Sequence, residues 1–154
     1  MDTGDLVPGT QIGRYQIVDT LGVGGSGTVY RAQVQNMRQM VALKLMHEGH
    51  PEENTESQRF AREAEVLRKL QHPHIVGLKD YGRAPDGRPY LVFAVLDGRS
   101  LKERLEEGAM PLAEVGKFSI QVLRALEKAH GMGSAHRDIK PDNVMLTDRE
   151  VKVL

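Results

Sequence analysis

The run Gly22-Val23-Gly24-Gly25-Ser26-Gly27 constrains the fold more than any other stretch, because of what stands on either side of it. From Tyr15 to Val23, and again from Thr28 to Val34, β-branched and aromatic residues recur in the pattern of strands. Two such runs around a glycine cluster predict a β-hairpin. Gly22, Gly24 and Gly27 also satisfy the spacing GxGxxG, which two kinds of nucleotide site share. The dinucleotide version must open a helix, so that a pyrophosphate rests on the helix N-terminus. Here Thr28-Val29-Tyr30-Arg31-Ala32-Gln33-Val34 alternates as a strand, which argues against a dinucleotide-dependent oxidoreductase. Glycines in a hairpin turn offer instead a flap whose backbone amides can approach phosphates with no side chain in the way. Standing alone, the motif would be read as an ordinary glycine-rich hairpin.

The remaining pattern supplies three more strands and three helices. Met40 to Met46, Ile75 to Tyr81 and Pro89 to Val95 read as strands, the last two separated by the turn signal Ala84-Pro85-Asp86-Gly87. A helix from about Ser57 to Leu70 places Phe60, Ala64, Leu67 and Leu70 on one face. After Asp97-Gly98 a short amphipathic helix is followed by a long one, with Pro111 suited to its first turn and Leu112, Val115, Phe118, Val122, Leu123 and Leu126 on its apolar side. Residues 1–14 lack periodicity and read as a loose leader. At 154 residues and 40% apolar content the chain can bury one core. Acidic and basic residues balance at 21 each, so no net field argues for nucleic acid or an anionic membrane. The absence of cysteine excludes a disulfide framework, thiolate metal sites and a cysteine nucleophile. The longest apolar run, the seven residues Tyr90 to Leu96, falls far short of a membrane span, and the chain reads as cytoplasmic.

Two further features bear on chemistry. Lys44 sits in the strand Val41-Ala42-Leu43-Lys44, and a lysine flanked by buried positions is either at an edge or one half of an ion pair. Glu63 falls inside the apolar stripe of the first helix, so its carboxylate is expected to face the protein and to need a cationic partner. The stretch His136-Arg137-Asp138-Ile139-Lys140-Pro141-Asp142-Asn143 spaces Asp138 and Asn143 as HRDxxxxN. An aspartate can orient a hydroxyl and accept its proton, while an amide oxygen five residues later can ligate magnesium. His47-Glu48-Gly49-His50 is one residue short of a zinc HExxH and lies in a polar linker.

The glycine flap, the strand lysine and the HRDxxxxN loop, in this order, resemble the amino-terminal part of a protein kinase domain of the bacterial serine/threonine type. The resemblance runs from about Tyr15 to Leu154. It implies an α+β, protein-kinase-like fold: a five-stranded antiparallel N-lobe sheet with helix C and hinge over 15–96, then an incomplete helical C-lobe over 97–154. It implies ATP and magnesium as cofactors, with a protein carrying a Ser or Thr acceptor as substrate partner. Gly22, Val23, Gly24, Gly25, Ser26, Gly27, Thr28 and Val29 would cover the triphosphate, and Lys44, paired with Glu63, would bind the α- and β-phosphates. Adenine would lie between Leu21, Val29 and Ala42 on one side and Met145 on the other, with Val76 and Phe93 behind it and the backbone of Ala94 and Leu96 bonding its edge. Asp138 would be the catalytic base, Lys140 would contact the moving phosphate, and Asn143 would hold the metal. The family places a metal-binding aspartate after a strand resembling Val151-Lys152-Val153-Leu154, so this chain is expected to be inactive by itself. The alternative is a truncated nucleotide-binding or interaction module without catalysis.

Overall fold

The computed structural model describes residues 5–25, 27–47, 54–133, 139–147 and 151–153. The chain divides into two units, one comprising Met1–Glu65 with Leu78–Val95, the other Val66–Gly77 with Leu96–Leu154.

In the first unit the predicted hairpin forms. Strand β2 (Tyr15–Val23) pairs antiparallel with β3 (Gly27–Val34), and β3 with β4 (Met40–Met46). Strands β5 (Leu78–Arg83) and β6 (Pro89–Ala94) complete a sheet in which β6 lies against β4. The sheet has six strands rather than five, in the order β1-β2-β3-β4-β6-β5, because Gln11–Ile12 pairs with β2 as an added strand, β1. Its Ile12 is buried in the core, so sheet structure begins within the stretch read as a leader. The sequence lacks a visible signal there because two residues are too short to alternate.

Alternation on the central strands makes one face the core. Tyr30, Ala32, Val41, Leu43, Leu45 and Val92 are almost wholly buried, with Tyr15 and Ile17 from β2. Each large aliphatic side chain removed from water in this way contributes roughly 1.5–3 kcal/mol. The sheet curls, since Tyr15 near one edge donates its hydroxyl hydrogen to the Asp80 carboxylate on β5, at the other edge, at 2.6 Å. Burial, reinforced by that bond, pushes the Tyr15 phenol up to about 12.

Gly27 is fixed by packing rather than by flexibility. A Cβ added there would overlap the carbonyl of Leu45 on the neighbouring strand, whereas one added at Gly25 would meet nothing within 4 Å. Gly27→Ala is therefore expected to lower stability by about 1–3 kcal/mol through forced backbone displacement, and Gly25→Ala by far less. Urea unfolding of the two variants side by side checks this.

The helix α1 (Asn54–Lys69) starts within a few residues of its predicted position. In the second unit, β7 (Gly98–Ser100), β8 (Val144–Thr147) and β9 (Val151–Val153) form an antiparallel sheet. Ser100 begins α2 (Leu101–Glu106) with a capping box: its hydroxyl accepts from the Glu103 amide, and the Glu103 carboxylate accepts from the Ser100 amide. Helix α3 (Leu112–Gly131) starts one residue after Pro111 and buries only Ala125 and Ala129 fully. Phe118 and Val122 pack with Leu101 on Val144 and Leu146, while Leu112, Ile120 and Leu123 are exposed.

The stretch Ile75-Val76 does not belong to β5, as the sequence pattern had it. Ile75 bridges Val153 in parallel, the Val76 amide donates to the Val153 carbonyl at 2.9 Å, and the Val153 amide donates to His74 at 2.8 Å. The turn before it is held by the His74 amide donating to His72 Nδ1 at 3.1 Å, a bond that requires this nitrogen to be unprotonated. Burial, followed by His74 and the cations Lys128, Arg124 and Lys152, depresses the His72 pKa below the ordinary imidazole value. Because the unfolded chain then binds this proton more readily, stability is complete above about pH 6.5 and falls as the pH drops toward the depressed folded value. Chemical denaturation at pH 7.5 and 5.5 should show a smaller pH difference for His72→Gln than for the parent chain.

Candidate functional site

The face of the sheet opposite the core carries the residues of interest. On β3, β4 and β6 the buried positions alternate with half-buried ones: Val29, Ala42, Lys44, Leu91 and Phe93. Residues paired across neighbouring strands project to the same face, so the register groups these side chains into rows. One row runs Gly22, Val29, Lys44, Leu91, Tyr81 across β2, β3, β4, β6 and β5. The next runs Asp19, Arg31, Ala42, Phe93, Leu78 across the same strands. Five expected site residues, Gly22, Val29, Ala42, Lys44 and Phe93, thus share two adjacent rows.

At the flap, Leu21 and Val23 are exposed, and the Gly24 amide donates to the Gly27 carbonyl at 2.9 Å, closing the turn. Ser26 lies outside the described residues. Thr28 is 5% exposed and alternates with Val29, so its side chain is on the core face and only its backbone is available to a ligand. Beside Ala42, Arg31 forms an ion pair with Asp19 that holds this carboxyl below the usual carboxylate range. Ala94 ends β6 opposite Val41 and is half-buried.

Glu63 departs from expectation. It is exposed rather than buried. Helix α1 buries Ala64 and Leu67 less evenly than the simple stripe suggests: Ala64 is fully buried, Phe60, Ala61, Glu65 and Leu67 are half-buried, and the inward face is turned away from position 63. At about 100° per residue, burial at 61 and 65 widens the covered face on the side away from 63 and leaves 63 at its edge. Glu65 is the acidic residue anchored on the sheet, accepting from the Tyr81 hydroxyl at 3.0 Å, and the Phe60 ring meets the Tyr81 ring edge-on with centroids 6.2 Å apart. Sequence reading did not single out Tyr81 as a contact of α1. Its signal was the period of two on β5, interrupted by an irregularity between Leu78 and Asp80.

The other expected residues belong to the second unit. Val76 is buried and Leu96 half-buried, and Met145 is half-buried on β8 opposite Ser100. Lys140 is exposed and precedes a single 3₁₀ turn, Pro141–Asn143, in which the Asn143 amide donates to the Lys140 carbonyl at 2.9 Å. Asp138 lies outside the described residues. Among the described residues no group of three or more His, Cys, Asp or Glu is placed to hold a metal ion. A neutral amide oxygen such as that of Asn143 suits magnesium bound chiefly through nucleotide phosphates rather than in an all-protein cage.

Comparison with known proteins agrees with this arrangement. The chain is 43% identical over 147 residues to the serine/threonine-protein kinase PksC of Streptomyces coelicolor, covering 90% of this chain and 26% of that protein. It is 41% identical to the DNA damage-responsive serine/threonine-protein kinase RqkA of Deinococcus radiodurans, covering 93% of this chain and 22% of that one. The crystal structure of the Mycobacterium tuberculosis PknI kinase domain superposes with a TM-score of 0.86 at 31% identity, over 97% of this chain and 60% of that one. The chain therefore spans about a quarter of the length of these curated relatives. The protein kinase domain family matches residues 15–154, and the chain belongs to that family.

Proposed function

We propose that the protein is an ATP-dependent serine/threonine protein kinase and that these residues form its nucleotide-binding part. The observation that carries the reading is the pair of rows on the non-core sheet face. They set a lysine between Val29 and Leu91 and put Ala42 and Phe93 alongside, an ammonium next to an apolar bed. Such a surface suits a flat apolar base with a polyphosphate tail, because the base removes Val29, Ala42 and Phe93 from water while Lys44 meets the charge.

In this reading the glycine flap covers the phosphates through its backbone amides, Lys44 contacts the α- and β-phosphates, and Glu63 orients the Lys44 ammonium. Asp138 accepts the proton of the acceptor hydroxyl, and Lys140 neutralises charge on the phosphoryl group in flight. Asn143 would hold magnesium together with the nucleotide, and the metal would supply further neutralisation of the triphosphate. Catalysis is then a matter of positioning and electrostatics. No helix among the described residues is long and apolar enough to cross a membrane. The reading places the protein in the cytoplasm, where ATP is plentiful.

The test is transfer of labelled γ-phosphate from magnesium-ATP to serine or threonine of an acceptor protein, with Asp138→Asn as control. Transfer that disappears in the control supports the proposal. Saturable ATP binding with no transfer by the whole gene product would make the chain a nucleotide-binding module, and NAD binding in place of ATP would overturn both.

A further inference from the structure

We infer that the cleft between the turn at His72 and the end of α3 is an anion site that takes a phosphate dianion, held by His72, Arg124 and Lys128. The inference goes beyond the kinase reading and stands independently of it. The cleft has a volume of about 580 Å³ and is lined by His72, Arg124, Glu127, Lys128, Gly131 and Met132, all within the second unit. That volume lies within the range of about 300–1,000 Å³ usual for ligand sites. Arg124 and Lys128 are one turn apart on one face of α3, and Gly131 follows on the same face. A Cβ built at Gly131 would meet nothing within 4 Å, so the space beside the two cations stays open.

The lining is rich in donors and in positive charge. His72 Nδ1 accepts the His74 amide at 3.1 Å, which in the neutral ring puts the proton on Nε2 and leaves that nitrogen as a donor. Among the described residues neither Arg124 nor Lys128 forms an ion pair. The helix dipole accounts for Lys128, which stands in the last turn, but not for Arg124, a turn earlier. The His74 ring, its centroid 5.4 Å from that of His72, and Lys152, whose ammonium donates to the Pro73 carbonyl at 2.8 Å, add to the positive surroundings. Glu127 is the carboxylate that lines the cleft against them. The depressed His72 pKa agrees with this balance, since His74, Lys128, Arg124 and Lys152 all act on it after burial. A tetrahedral dianion offers an oxygen to each of the three donors, and a guanidinium binds such a group through two parallel hydrogen bonds.

The test titrates the protein with inorganic phosphate, and with a phosphothreonine peptide beside its unphosphorylated form, at pH 7.5 and constant ionic strength, following the His72 ring protons by NMR. Saturable shifts are expected. Arg124→Gln and Lys128→Met should each weaken binding roughly 10-fold, the effect of one hydrogen bond to a charged group. Glu127→Gln should tighten it. Gly131→Met, whose side chain enters the open space, should weaken binding most while the urea midpoint is kept. At saturation the His72 pKa should rise, because a bound anion favours the imidazolium. Tighter binding of the phosphopeptide than of inorganic phosphate identifies a phosphorylated chain as the source of the group, and equal or weaker binding identifies the free ion. Shifts that chloride reproduces at the same ionic strength, or that persist unchanged in Arg124→Gln and Gly131→Met, overturn the inference, as does the absence of any shift at tens of millimolar phosphate.

Discussion

Lys44→Met should reduce phosphoryl transfer by the active protein on the order of 10²–10³-fold, the cost of removing one charged donor from a developing transition state. The same substitution should leave stability almost unchanged. Those two outcomes together follow from where the side chains lie. Had Glu63 been buried, removal of Lys44 would have left an uncompensated charge in the interior, at about 3–5 kcal/mol. Glu63 is exposed, however, and Lys44 is only half-buried. Water can solvate the carboxylate once the ammonium is gone, so the loss falls in the range of surface pairs, within about 1 kcal/mol. Methionine also keeps the length of the lysine stem, so its packing between Val29 and Leu91 is retained. A turnover assay and a urea titration on one preparation separate the two effects. Unchanged turnover would remove Lys44 from the site, and a large drop in unfolding free energy would show that the residue is structural.

Leu43→Ala should have the opposite profile, because it lies one residue away and on the other face. Leu43 is wholly buried in the core cluster with Tyr30, Val41, Leu45 and Val92. Truncation removes buried methyl groups and leaves a cavity bounded by paired strands that cannot close over it, which costs about 2–5 kcal/mol. For a domain whose total stability is about 5–15 kcal/mol, this is enough to unfold a sizeable fraction at physiological temperature. The variant should show a sharply lowered denaturation midpoint, with nucleotide affinity retained by the molecules that remain folded. A midpoint within the error of the parent would mean that this face is not the core.

The contrast between neighbouring positions also explains what was readable beforehand. β2 and β4 were predicted with the boundaries they have, because each is long enough for period-two alternation to stand out. The short β1 and β7 were not, since two or three residues carry no period and owe their conformation to the strand beside them, whereas β9 lies in the Val151–Leu154 stretch read as a strand. Ile75 and Val76 were assigned to β5 on their β-branched character, yet they pair with Val153, a partner that local pattern cannot reveal. At the site, Val29, Ala42, Lys44 and Phe93 were named by the family resemblance, and the register puts them side by side. Glu63 was expected to be buried and is exposed, because a helix of this composition carries two overlapping stripes. Which of them is covered depends on tertiary contacts such as the Tyr81 hydroxyl donating to Glu65, which local pattern cannot reveal.

The central claim is that a nucleotide binds the non-core face of this sheet, and alternation within β4 permits a direct test. With the methyl groups labelled, titration of magnesium-ATP should shift the resonances of Val29, Ala42 and Leu91 along a saturable curve. Those of Val41, Leu43 and Leu45, which are neighbours in sequence but lie on the opposite face, should move far less. Saturable shifts concentrated on the core residues, or no shifts on either face at millimolar nucleotide, would contradict the account.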